Sequence, residues 1–380
     1  MRQSAILLST LLLLLAAACG SHTSKNSSED AYTHVVYQPQ YATGFRILSD
    51  GHSHDVVIES INPWQGADSV TTRLLIVRHD EAPADFDGQV IIGEPQRIVV
   101  MSSTFVAMLD TLGVADRIAG VSGIGYISNP HVQMRRDSIA DIGYEASVDY
   151  EKLLALRPDL VILYGVSAPS PMESKLQQLA IPYIYIGDYL EQSPLGKAEW
   201  LVAMGEITGR RDKAIEIFSA IPPAYLSLRD SIARSDLTPP RVMVNTPYAD
   251  SWFMPSTQSY MARLIADAGA RYLYDCDTGN ASSVIDLEEA LRLTSQADVW
   301  INTGSARSLP ELLQLAPRMA DTRCVTGGNV YNNTARSTPT GGNDFYESAV
   351  IRPHVVLRDL ITIFHPSDDN PPLVYYQQLQ

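Results

Sequence analysis

From Arg97 to Phe364 the chain alternates short, continuous apolar runs with segments of helical periodicity, and this alternation limits the fold more than any other feature. Ile98-Val99-Val100-Met101 is apolar throughout, as a strand covered on both faces must be, and Phe105 to Leu112 follows as a helix ending at Gly113. The cycle continues through strand Arg117–Val121, helix Tyr150–Leu156, strand Leu160–Leu163, helix Glu173–Leu179 and strand Tyr183–Ile186. Such a pattern specifies a mainly parallel sheet with helices on both faces, a first α/β lobe over residues 94–192.

Helical periodicity then dominates residues 193–238. Ala214, Phe218, Ile221, Tyr225, Leu228 and Ile232 fall on one stripe, which predicts a long amphipathic helix between lobes. Pro222 and Pro223 lie inside it and predict a kink or break near Ala220. After Pro239-Pro240 a second α/β lobe is expected over 239–366. Its elements are strand Arg241–Asn245, helices Ser259–Ala268 and Leu287–Leu293, strand Asp298–Asn302, helix Leu309–Met319, strand Cys324–Val330 and helix Val350–Phe364. Its sheet is expected to be the shorter of the two, and residues 367–380 are expected to form a tail.

The N-terminal region follows different rules. Arg2, an apolar run from Ala5 to Leu15 and the small residues Ala16-Ala17-Ala18 ahead of Cys19 form a secretory leader over residues 1–19, too short to remain as a spanning helix. The boundary resembles a bacterial lipobox, which implies lipidation of Cys19 and a periplasmic protein anchored to a membrane by lipid; simple cleavage is the alternative. Residues 20–32 are small and polar and are expected as a flexible tether. Residues 33–93 hold short β-prone runs separated by Gly, Pro, Asn and Asp, an extra antiparallel β segment of three to five strands, with Trp64 plugging that small sheet.

A formal net charge of −15 argues against nucleic acid or anionic lipid as partners, since both call for a cationic face. Beyond the leader no segment approaches the roughly 20 apolar residues of a membrane span. Cys276 and Cys324 are expected as separate thiols, with a disulfide between them as the alternative.

Arg97-Ile98-Val99-Val100-Met101-Ser102-Ser103, Met108-Leu109-Asp110-Thr111-Leu112-Gly113 and Arg117-Ile118-Ala119-Gly120-Val121-Ser122 together resemble the opening of the substrate-binding proteins of iron-complex and vitamin B12 ABC importers. Ala155-Leu156-Arg157-Pro158-Asp159-Leu160-Val161-Ile162 matches a second stretch typical of that family. The resemblance spans about residues 96–365 and leaves 33–93 as an addition. It implies two doubly wound α/β lobes joined by a rigid helix, a ligand cleft between them, and delivery of a metal chelate to a permease. Pro222 and Pro223 depart from an uninterrupted helix.

Ligands of open parallel sheets collect beyond the carboxyl ends of the strands. The loops there hold Ser102, Ser103, Thr104, Tyr126, Tyr164, Asp188 and Tyr189 in the first lobe, and Tyr248, Trp252, Thr303, Arg307, Tyr331, Asn333 and Arg336 in the second. Aromatic rings on both walls suit a bulky, partly apolar ligand, and the two arginines suit carboxylates. The competing readings are surface ion pairs for the arginines, packing for the tyrosines and helix capping for one of the serines. Trp200 is expected in the core. The family docks through one glutamate per lobe; by position these are Glu151 and Glu288, with Glu289 adjacent, although acidic residues in first helical turns also answer the helix dipole.

No catalytic motif occurs: there is no Gly-x-Ser-x-Gly elbow, His-Glu-x-x-His, phosphate loop or dinucleotide fingerprint. The expectation is therefore a monomeric, non-enzymatic solute-binding lipoprotein without a cofactor or metal site of its own. Its expected cargo is a ferric siderophore or haem, with a corrinoid as the lesser choice, and its partner an ABC importer permease. The alternatives are an exported binder of bare zinc or manganese, for which His131, His354 and His365 lie on separate segments, and a chelatase or hydrolase acting on the iron complex.

Overall fold

The computed structural model describes residues 31–78, 82–277, 279 and 281–380. The expected leader, the lipidation site Cys19 and nearly all of the tether lie outside the described residues. Tyr32, at the end of the expected tether, is buried against Phe86 with ring centroids 6.0 Å apart.

The first sheet holds β1 (His34–Tyr37), β2 (Phe45–Ser49), β3 (Val56–Ile61), β4 (Thr71–Val77) and β5 (Gln89–Ile92) in that order. It is antiparallel except that β5 runs parallel to β4, a departure from the expected antiparallel sheet. Register places Glu59 opposite both Arg46 and Arg73, so one carboxylate answers two guanidinium groups across neighbouring strands. Alternation divides the sheet's apolar residues between two faces. Phe45, Ile47, Ile58, Leu74 and Ile76 join the main core, while Leu48, Val57, Leu75 and Val77 pack beneath Tyr32 and Phe86.

The first lobe's sheet contains β6 (Ile98–Val100), β7 (Ile118–Val121), β8 (Ala140–Asp141), β9 (Leu160–Leu163) and β10 (Tyr183–Tyr185). They are parallel, in the order β10-β9-β6-β7-β8. Its Arg-Pro-Asp stretch has a physical role. Arg157 ends helix Tyr150–Leu156 in the left-handed region at φ 47°, and the Asp159 carboxylate accepts the backbone N–H groups of Gln96 and Arg97 at 2.8 and 2.9 Å, pinning β9 beside β6.

The linking region is three helices, Pro194–Ile207, Arg211–Ser219 and Ile221–Ala233, rather than one long amphipathic helix. The break at Ala220 falls where the two prolines predict it. A second break follows Thr208, where Gly209 turns at φ +68° and any Cβ would collide with the Glu94 carboxylate at 1.9 Å. Helix Pro194–Ile207 is buried on every side because the first sheet and both lobes pack around it. Trp200 is its central core residue, 4.7 Å from the Phe45 ring.

The second lobe contains β11 (Arg241–Val244), β12 (Pro247–Tyr248), β13 (Ser251–Met254), β14 (Arg271–Tyr272), β15 (Ser283–Ile285), β16 (Val299–Ile301), β17 (Val330–Asn332) and β18 (Gln377–Gln378). The main sheet is ordered β14-β11-β16-β17-β18, and β12-β13-β15 form a separate antiparallel sheet. At five strands the main sheet equals that of the first lobe and is not the shorter one. The expected strand from Cys324 begins only at Val330, because Arg323–Thr326 is helical and the Gly327-Gly328 turn intervenes. Residues 367–380 are no tail. Tyr375, Tyr376 and Leu379 are buried, β18 pairs with β17, and the buried Asp359 carboxylate accepts the N–H groups of Val374 and Tyr375. Cys276 and Cys324 are free thiols.

Candidate functional site

Strand order fixes where a ligand can enter. The first sheet-built lobe reverses its direction of winding between β6 and β9, and the second between β11 and β16; at such switch points the loops beyond the carboxyl ends diverge and leave a crevice. Asn245 directly follows β11 and Asn302 directly follows β16, and both adopt the left-handed region, at φ 66° and 57°. Asparagine tolerates this conformation better than other side chains, and here it turns the chain sharply away from each strand. Asn245 Nδ2 donates to the Phe253 carbonyl at 2.7 Å, and Asn302 Oδ1 accepts from the buried Tyr376 hydroxyl at 2.9 Å.

Two cavities lie between the lobes. The smaller, about 210 Å³, has Tyr189 and Glu191 on the first-lobe wall and Asn245, Asn302, Asn333, Tyr260 and Tyr346 on the other. The larger, about 410 Å³, places Ser103 and Tyr126 opposite Gly304, Ser305, Arg307, Thr334, Ser337 and Asn343. Tyr346 borders both, so they form neighbouring parts of one groove. The lobes are clasped at this point: Thr104 Oγ1 donates to the Tyr346 carbonyl at 2.8 Å, and the Ser128 N–H donates to Glu347 Oε1 at 2.6 Å. Burial pushes the Glu347 carboxyl up to about 7.

Five of the residues singled out in the sequence therefore meet in the groove: Ser103, Tyr126, Tyr189, Arg307 and Asn333. The others do not line it. Ser102 caps helix Ser103–Thr111 by accepting the Thr104 N–H, and Thr104 serves the interlobe clasp. Asp188 is buried in an ion pair with Lys197 at 3.2 Å, whose ammonium also lies 4.8 Å from the Tyr260 ring centroid. Trp252 is wholly buried, donates Nε1 to the Val244 carbonyl and stacks on Trp300; it belongs to the core because β13 turns it inward. Thr303 is also fully buried. Tyr164 and Tyr331 are half-buried, and burial raises both hydroxyl pKa values. Tyr248 ends β12, paired with Ser251 of β13, and is 77% exposed. Arg336 pairs with Asp344 and lies over Tyr375, whereas the exposed Arg307 side chain donates to the Thr338 carbonyl. Trp64 does not plug the small sheet either. It packs on the first lobe, 5.6 Å from the Tyr185 ring.

Asn245, Asn302, Tyr260, Tyr346 and Glu191 are groove residues that sequence reasoning missed. Two of them carried a readable signal, since Val-Met-Val-Asn and Val-Trp-Ile-Asn repeat the same strand-ending asparagine.

On the outer surface, Asp149 and Asp286 cap two helices by accepting the N–H groups of Lys152 and Glu289, and Glu151 and Glu288 occupy the same place two residues beyond each cap. Both are exposed. Glu288 is held by Arg318 in a two-pronged pair at 2.6 and 3.0 Å, and Glu289 turns to Arg292. Among the described residues no three His, Cys, Asp or Glu side chains converge as a metal site, and no helix is long and apolar enough to cross a membrane.

Residues 98–336 match the family model described as periplasmic binding protein. The chain belongs to that family. Its relatives include an uncharacterized lipoprotein of Methanocaldococcus jannaschii, 22% identical over 90% of this chain and 85% of the relative. Among solved structures, a periplasmic haem-binding protein from Pseudomonas aeruginosa superposes with a TM-score of 0.59 at 20% identity, over 75% of this chain and 98% of that one. A periplasmic binding protein from Veillonella parvula gives 0.59 at 17% identity, over 83% and 99%. These neighbours share the two-lobed α/β fold. In this periplasmic binding protein the first sheet lies outside the matched span and is built onto the linking helices.

Proposed function

We propose that this periplasmic binding protein captures a metal chelate, a ferric siderophore or haem ahead of a corrinoid, and passes it unaltered to an ABC importer. The observation that carries this reading is the groove between the lobes, where Tyr126, Tyr189, Tyr260 and Tyr346 offer aromatic faces from both walls and the asparagines Asn245, Asn302, Asn333 and Asn343 line the space between them. Flat rings bind bulky conjugated or chelated ligands through wide contact at small rotamer cost. Membership in a substrate-binding family and the name of the Pseudomonas aeruginosa neighbour support the same class. Arg307, at the rim of the larger cavity, is the cation best placed to meet an anionic group on the ligand.

Export and anchoring through a lipid on Cys19 follow from the leader, and the relative named a lipoprotein supports them. Glu151 and Glu288 are the docking pair, one on each lobe and each at the same offset from a capping aspartate.

Titration of the purified protein with ferric desferrioxamine B, haemin and cyanocobalamin is the test, with the recovered ligand checked for chemical change. One of the three binds at one per chain and returns intact. Failure of all three, conversion of the ligand, or stoichiometric zinc held by histidines defeats the proposal.

A further inference from the structure

Beside the interlobe groove lies a third cavity, of about 440 Å³, that the two lobes alone do not make. One wall is Thr43-Gly44 and the loop Asn62–Ala67 of the first sheet, and the other is the Gly187–Glu191 turn that follows β10. It adjoins the groove at two points. Glu191 borders both spaces, and the consecutive Ala281 and Ser282 line one each.

The loop is fixed at the ligand end of the first lobe. The Gln65 N–H donates to the Val166 carbonyl at 2.8 Å, three residues beyond the end of β9, and Trp64 packs on Tyr185, the last residue of β10. At Gly165 a Cβ would meet the Pro63 carbonyl oxygen at 2.6 Å and Trp64 Cβ at 2.9 Å, so the contact leaves no room for a side chain. Asn62 opens the loop in the left-handed region at φ 49°. The opposite wall is equally anchored, because Glu191 accepts the N–H groups of Thr43 and Gly44 and the Trp200 indole N–H. A sheet lying outside the family span thus sets a rigid wall beyond the carboxyl ends of β9 and β10, where α/β lobes bind ligands.

We infer that this cavity is a subsite for the uncharged, hydrogen-bonding periphery, amide or hydroxyl, of the chelate held in the groove. The inference rests on the cargo reading above. Among the described lining residues Glu191 is the sole ionisable group, and its oxygens are engaged internally. An anionic substituent would lose its hydration there without an opposite charge in return, and a cationic one would find the Glu191 oxygens already taken by Thr43, Gly44 and Trp200. The Trp64 ring, the Asn62 amide and loop backbone groups suit neutral polar arms.

The test uses the full mature chain and the same three probes, ferric desferrioxamine B, haemin and cyanocobalamin. Ala67→Trp fills the cavity from its half-exposed rim and weakens the tightest-binding probe by roughly tenfold or more. Independently of any variant, saturating the wild-type protein with that probe slows hydrogen exchange across residues 61–67. Unchanged affinity together with unchanged exchange overturns the subsite and leaves the cargo reading standing. Failure of the wild-type protein to bind any of the three overturns both.

Discussion

Glu347 of the second lobe accepts the Ser128 N–H of the first at 2.6 Å, while its other oxygen is buried with no hydrogen-bond partner among the described residues. The neighbouring Tyr346 carbonyl accepts Thr104 Oγ1, so two successive residues tie the lobes at the edge of the groove. Desolvation holds the Glu347 carboxyl up to about 7 against an ordinary value of 4.5, with nearby Asp344 adding to the rise and the Ser128 N–H opposing it. The clasp is therefore sensitive to its own charge.

Between pH of about 4.5 and about 7 the folded chain retains a proton on Glu347 that the unfolded chain releases. Stability from this group is thus highest below that window and falls as pH rises through it, by a total on the order of 3 kcal/mol. Glu347→Gln keeps an acceptor for Ser128 and removes the ionisation. Its melting temperature is expected to exceed that of the wild-type protein by several degrees at pH 8, with the gap closing toward pH 5. Parallel pH profiles for the two proteins would rule this out.

A second carboxylate holds the first sheet in place. Glu199, fully buried on the linking helix, accepts from the Tyr37 hydroxyl and from the backbone N–H groups of Gln40, Tyr41 and Ala42, at 2.7 to 2.9 Å. Glu199→Ala orphans all four donors and is expected to cost about 3 kcal/mol or more. Limited proteolysis should then cut within residues 37–44 before the lobes are attacked. A variant as protease-resistant as the wild type would show that apolar packing alone fixes the sheet.

The lobes were legible because each buried strand is an unbroken apolar run, and the Arg157-Pro158-Asp159 stretch could be matched without knowing what it touches. The groove was legible only in part. Asp188 follows β10 as a ligand residue would, yet Lys197 lies nine positions along the chain and claims it. Trp252 reads as a loop aromatic until β12 and β13 pair and rotate it into the core. The all-round burial of helix Pro194–Ile207 is not legible in its sequence, because Lys197, Glu199 and Glu206 are buried there only through partners supplied by the fold. Their partners are Asp188, residues 37–42, and Arg78 with Arg211, and the more distant of these are beyond any local pattern.

Tyr126 and Trp252 separate groove from core. Tyr126 is 59% exposed and borders the larger cavity, so Tyr126→Ala is expected to weaken ligand binding by about tenfold with an unchanged melting temperature. Trp252→Ala should instead lower stability by roughly 3–5 kcal/mol. Calorimetric titration beside thermal melts resolves the two effects, and a melting loss in Tyr126→Ala would place that ring in the core.

Docking makes the strongest demand on the surface. Glu288 already holds Arg318, so docking through Glu288, as proposed above, would require displacement of an exposed intramolecular pair, which is worth little in water and yields readily. The Glu151→Ala, Glu288→Ala double variant is expected to bind ligand as the wild type does and to fail in uptake by vesicles containing the importer. Arg318→Ala, which frees Glu288, should bind the importer at least as tightly as the wild type. If the double variant loses ligand affinity, the two glutamates act on the groove and the assignment of a docking face fails; if Arg318→Ala weakens importer binding, Arg318 itself belongs to the contact.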